Sequence, residues 1–140
     1  MPLNIQNKTA VVDAEAPVTE TPWVHLKQRD HWDDLGCSDE QCHLMVQVME
    51  AWFMADPDAL KTFYGQGFKA NALPKGKNVE QISKDTLAKS LKKAIRDTNK
   101  PEYHKIQHGA KLLGLIAPAK VRQKARHCDR LFTTLSALMG

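Results

Sequence analysis

Cysteine is scarce in this chain: 140 residues contain three, Cys37, Cys42 and Cys128. The number is odd and no Cys-x-x-Cys pair occurs, which argues against a disulfide framework and for reduced thiols. No apolar run reaches the length of about 18 residues that a membrane span needs, and no charged-then-apolar leader is present. A membrane-spanning or secreted protein is therefore not expected, and the cytoplasm is the expected compartment. Internal repeats and long low-complexity tracts are missing as well. Residues 65–77 carry Gly, Pro and Lys, but no Gly-Lys-Ser/Thr follows. That stretch reads as a mobile loop and not as a phosphate cradle.

What is present suits one soluble domain over residues 1–140, with 42% hydrophobic residues and a polar, flexible start at residues 1–8. The net charge of +4 conceals a division along the chain. Residues 1–60 hold 3 Lys or Arg against 11 Asp or Glu, and residues 61–140 hold 17 against 5, giving −8 and +12. An acidic segment beside a basic one suits a divalent-ion site next to a phosphate-binding surface, the arrangement of a nuclease. Two halves attracting each other in an ordinary fold explain the same division.

Glu50 is the one acid inside the most apolar stretch of the chain, which runs from His43 and closes at Asp56. Leu44, Val46 and Val48 alternate as in a strand, whereas Met49, Trp52 and Phe53 have helical spacing, so a strand is expected to pass into a helix near Glu50. Such a junction lies at a sheet rim, where sites are built. A buried Glu bonded to a backbone amide or an Arg is the alternative. Upstream, a short apolar strand from Thr9 ends in Asp13 and Glu15. In an extended chain these point to one side about 6 to 7 Å apart, close enough to share one hydrated Mg²⁺ or Mn²⁺. A solvated loop is again the alternative.

The remaining segments read mainly as helices. One opens at Thr21-Pro22 and runs through Leu26 toward Trp32, with Trp23 and Trp32 at the core edge and His25 and His31 at the surface. Ser38 opens a capped turn. A helix from about Asp58 to Tyr64 stops at Gly65. Over residues 78–97, Leu87, Leu91, Ala94 and Ile95 form an apolar face, leaving Lys89, Lys92, Lys93 and Arg96 as a basic stripe, either a solvated face or a surface for nucleic-acid phosphates. A helix from Tyr103 places Lys105 and His108 three apart on one face, where they could offer a cation and a proton-transfer group to a scissile phosphate. A short basic helix covers residues 119–126, and the last helix packs through Leu131, Phe132, Leu135, Leu138 and Met139. Cys37, Cys42, His43, His127 and Cys128 could together form a zinc site, although their spacing matches no zinc knuckle.

Three segments resemble a known family: residues 11–18 (Val-Val-Asp-Ala-Glu-Ala-Pro-Val), residues 45–60 around Glu50, Trp52 and Asp56, and residues 103–113 (Tyr-His-Lys-Ile-Gln-His-Gly-Ala-Lys-Leu-Leu). The chain from about Ala10 to Leu138 resembles the TOPRIM-like domains of RloG type, related to the nuclease domains of the OLD class and often encoded beside AAA or ABC-type ATPases in bacteria and archaea. The resemblance implies an α/β fold, a small TOPRIM-like sheet with helices and a mainly α-helical C-terminal half. It also implies Mg²⁺ or Mn²⁺ at the C-terminal ends of the strands. Asp13 and Glu15 match the family's acidic pair, Glu50 completes the ion's shell, and Lys105 or His108 faces the phosphate. DNA or RNA cleavage in bacterial defence, with an ATPase partner, is the function implied.

One feature of the family pattern is not matched. Only twelve residues precede Asp13 and none is acidic, so the first strand with its Gly-x-x-Glu motif is expected to be lacking. A truncated or shortened member, or a second chain that supplies the missing part, would account for that, and the exposed sheet edge would favour a homodimer or pairing with a partner strand. The competing expectation is a non-catalytic helical module that docks nucleic acid or a protein through its basic half.

Overall fold

The computed structural model describes residues 10–31 and 38–138. Residues 1–8, Trp32, Cys37 and Met139, to which expectations are attached above, lie outside that range. The first strand, β1 (Ala10–Asp13), pairs in parallel with β2 (Cys42–Met45), in a register that sets Ala10 against Cys42 and Asp13 against Met45. Parallel pairing needs a crossover, and helix α1 (Pro22–Asp30) supplies it. Pro22 sits in its first turn, and His31 closes it in the left-handed conformation. The 3-10 turn Asp39–Gln41 then leads into β2, with the Ser38 N–H donating to Gln41 Oε1.

The second strand was expected to run on through Val46 and Val48, but it ends at Met45. Backbone contact with the first segment goes on past that point, the Ala14 N–H donating to the Met45 carbonyl at 3.0 Å and the Glu15 N–H to the Gln47 carbonyl, with Glu15 in a left-handed φ of 68°. Helix α2 (Glu50–Phe53) follows a bend, and α3 (Pro57–Tyr64) follows α2. Asp56 caps α3 by accepting the Ala59 N–H at 3.3 Å, and Gly65 ends that helix. Helix α4 (Lys84–Ile95) starts later than the apolar spacing suggests. Residues 79–81 form a 3-10 turn instead, and the Ser83 hydroxyl caps α4 by accepting the Thr86 N–H. The chain closes with α5 (Lys105–Leu115), α6 (Pro118–Lys124) and α7 (Arg126–Leu138). The architecture is thus α/β: a two-stranded parallel sheet, seven α-helices among the described residues, and a helical C-terminal half. No helix among the described residues is long and apolar enough to cross a membrane.

Two apolar cores hold these elements. Ala14, Leu26, Cys42, Leu44 and Val46 fill the smaller one between α1 and the sheet. Phe53, Leu60, Leu87, Leu91, Ile95, Leu112, Val121 and Leu131 build the larger one from the helices. Each buried side chain of this size contributes roughly 1.5–3 kcal/mol. The packing face of α7 differs from the expected one in a single respect. Leu138 is exposed, while Cys128 and Leu131 are buried. Arg130 ties α7 to the sheet by donating to the Cys42 carbonyl at 2.8 Å and to the Asp39 carbonyl.

Candidate active site

The C-terminal end of the sheet is where the sequence positions its acids. Asp13 is the last residue of β1, and its side chain is 13% exposed. Its Oδ1 accepts the Met49 N–H at 2.7 Å, where the chain turns into α2, and its Oδ2 accepts Lys105 Nζ at 2.9 Å. The backbone at the start of α2 and the Lys105 ammonium thus hold the two oxygens of Asp13, one each.

Glu50, the first residue of α2, is buried at 8% exposure. Its Oε2 accepts the Tyr103 hydroxyl at 2.6 Å, so neither a backbone amide nor an Arg is its partner. Burial, and then the neighbouring Glu50 carboxylate, push the Tyr103 phenol well above its ordinary pKa. It therefore remains a hydrogen-bond donor. Gly109 makes room for this contact: a Cβ there would lie 3.0 Å from Met49 Cε and 3.1 Å from the Tyr103 oxygen. Glu15 is more open and accepts Lys84 Nζ, from the first turn of α4, at 3.1 Å.

Lys105 joins the three acids. Its hydrogen bond to Asp13 raises its pKa most, burial opposes this, and the charges of Asp13, Glu50 and Glu15 raise it further. Of the three, Asp13 alone is in contact with the ammonium group. Among the described residues, no three His, Cys, Asp or Glu side chains are gathered tightly enough to cage an ion. Each carboxylate is held by its own partner instead: Asp13 by Lys105, Glu50 by Tyr103 and Glu15 by Lys84.

His108 does not share the position of Lys105, although the two are one turn apart. It is buried against the edges of Phe63 and Tyr64, and its Nδ1 accepts the His104 N–H at 3.1 Å. Burial, with the charges of His104, Lys100 and Lys111, lowers its pKa. Its ring forms the wall behind Tyr103, at a centroid distance of 6.2 Å.

Lys89, Lys92, Lys93 and Arg96 are all exposed along α4 and its C-terminal cap. Lys92 lies 3.6 Å from Glu102, and Arg96 lies 3.9 Å from Asp97. The stripe begins three residues after the turn whose first member, Lys84, touches Glu15. The thiols and imidazoles suggested for zinc are dispersed: Cys42 is in the small core, Cys128 in the large one, and His127 is paired with Glu80 at 3.1 Å. Burial pushes the Cys128 thiol up to about 11.

Sequence reasoning took Tyr103 only as a helix start and passed over Lys84 and Glu80. The local signal for Tyr103 was its position two residues before Lys105, but nothing nearby in sequence shows that Glu50 lies opposite. No curated protein and no solved structure matches the chain. The sequence profile described as Domain of unknown function (DUF4276) does match, from residue 7 to residue 136, and with nearly its whole length covered the chain belongs to that family.

Proposed function

We propose that the chain is a metal-dependent, nuclease-type domain that hydrolyses phosphodiester bonds of DNA or RNA. The carrying observation is the acidic end of the sheet, where Asp13 accepts the Met49 N–H at 2.7 Å and Lys105 Nζ at 2.9 Å, with Glu15 two residues on and Glu50 opening α2. Carboxylate oxygens are the hard donors that Mg²⁺ and Mn²⁺ take, and the charge that Lys105 and Lys84 now neutralise is charge such an ion would neutralise. By the likeness to TOPRIM-like domains, Asp13, Glu15 and Glu50 are the residues that would hold the ion once drawn from their separate partners, and the ion would supply an activated water and stabilise charge on the phosphate oxygens. Tyr103 fixes the Glu50 carboxylate through Oε2. Lys105, once released from Asp13, faces the phosphate with its ammonium group. His108, neutral and buried, supports Tyr103 and does not meet the phosphate.

The left-handed backbone at Glu15 agrees with this reading, since a non-glycine residue there costs roughly 1–3 kcal/mol and such strain gathers at functional sites. The likeness to TOPRIM-like domains of RloG type supports the same residues, and with it a cytoplasmic role in bacterial defence beside an AAA or ABC-type ATPase. A homodimer through the sheet edge belongs to that proposal.

The test is calorimetric titration of Mn²⁺ into wild type, Asp13→Ala and Glu50→Ala. Each substitution is expected to weaken binding at least tenfold, and unchanged affinity in both sinks the hydrolytic reading. The exposed stripe on α4 favours one other reading, a non-catalytic binding module. It is preferred if nucleic-acid affinity survives both carboxylate changes but falls when Lys92 and Lys93 are neutralised.

A further inference from the structure

Beside the acid cluster an open cleft of about 390 Å³ is lined by, among others, Val18, Val46, Gln47, Gln81, Arg126 and His127. It shares backbone with that cluster. The Glu15 N–H donates to the Gln47 carbonyl, and Met49, two residues on, donates to Asp13.

One wall of the cleft is an oriented imidazole. Glu80 Oε2 accepts the His127 backbone N–H at 2.7 Å, and the same carboxylate faces His127 Nδ1 at 3.1 to 3.2 Å. A carboxylate beside Nδ1 takes the N–H of that nitrogen and leaves Nε2 as the ring atom open to a ligand. Nε2 has no partner among the described residues.

Charge and shape together indicate what would fit. The carboxylate of Glu80 offsets the guanidinium of Arg126, so the cleft has no surplus positive charge to favour a phosphate. Pro17 and Val18 offer apolar surface and Gln81 an exposed amide that both donates and accepts, with Val46 and Gln47 buried behind them, the Gln47 amide donating to the Glu80 carbonyl at 3.5 Å. Flat apolar faces with donors and acceptors around the edge describe a nucleobase. We propose that this cleft seats one base of the strand whose phosphate meets Asp13, Glu15 and Glu50. His127 and Arg126 also line an adjoining cleft of about 410 Å³, which extends the seat toward a neighbouring nucleotide. The link to a phosphate rests on the hydrolytic reading, but the seat for a base does not.

The probe is a set of nucleosides, adenosine, guanosine, cytidine and uridine, titrated into the full chain without metal and followed by NMR. At least one is expected to shift the Gln47 side-chain amide and the His127 ring signals. His127→Phe and Gln81→Ala should each weaken that binding by tenfold or more, and Gln81 is exposed, so its variant retains the fold. Asp13→Asn should leave it unchanged, and inorganic phosphate alone should shift neither signal. The proposal is overturned if no nucleoside shifts these signals, if phosphate alone does so, or if both variants bind like wild type. Nucleoside binding together with undiminished Mn²⁺ affinity in Asp13→Ala and Glu50→Ala would leave the base seat standing and remove the hydrolytic reading.

Discussion

Glu50 and Tyr103 illustrate how one hydrogen bond makes an acid tolerable in an apolar helix start. The carboxylate is buried and accepts the phenol at 2.6 Å. Removing the hydroxyl leaves Oε2 desolvated without a donor, which costs about 1–3 kcal/mol. Tyr103→Phe should therefore lower the unfolding free energy measured in urea by that amount, and a change below about 0.5 kcal/mol would mean that water replaces the phenol. His108 predicts a pH dependence. Burial, with help from nearby cationic groups, disfavours its protonation in the folded chain, whereas an unfolded imidazole protonates near 6.5. The unfolded state thus takes the proton first. Stability is full above about pH 6.5 and declines as pH falls through that value. Comparing wild type with His108→Phe by denaturation between pH 7.5 and 5 (roughly this titration window) should show the variant losing less stability with acid.

Two glycines flanking the turn after α3 separate backbone strain from steric collision. Gly65 and Gly67 both have positive φ, 77° and 91°, but a Cβ at Gly65 meets nothing within 4 Å, whereas one at Gly67 would lie 2.2 Å from the Asp97 carbonyl oxygen. Gly65→Ala should cost about 1–3 kcal/mol from strain alone. Gly67→Ala should cost more, because the backbone at the end of α4 must move, and thermal melts of the two variants check the order. Asp56 joins elements in another way. It caps α3 through Ala59 and accepts the Ala117 N–H at the start of α6 at 2.9 Å, so Asp56→Ala should remove roughly 2–4 kcal/mol by leaving two N–H groups without acceptors. Equal stability of Asp56→Ala and wild type in urea would show that α3 and α6 do not depend on each other. The boundaries at Pro57, Gly65 and Pro118 were legible locally, since these are start and stop signals that act within one turn, whereas the start of α4 after Ser83 was not, because the apolar spacing runs back to residue 78. The early end of β2 was not legible, because the alternation of Leu44, Val46 and Val48 continues past Met45.

Across the whole molecule, the separation of −8 from +12 predicts salt-sensitive binding to a polyanion. If Lys89, Lys92, Lys93 and Arg96 contact phosphates, neutralising Lys92 and Lys93 together should weaken binding and lower the slope of log affinity against log salt by about 2. Filter binding at several salt concentrations measures both, and an unchanged slope would mean that the stripe is only a solvated face. The amino-acid order alone determined the helices, the apolar faces and the candidate acids, because periodicity, capping and charge act over a few residues. It did not determine which acid meets which partner. Met49 is 36 residues from Asp13, Tyr103 is 53 from Glu50, Lys84 is 69 from Glu15 and Lys105 is 92 from Asp13. Only the packing of α2, α4 and α5 against the end of the sheet brings these groups together. That packing also turns His108 inward while Lys105 reaches the carboxylates, a choice that three-residue spacing on a helix leaves open.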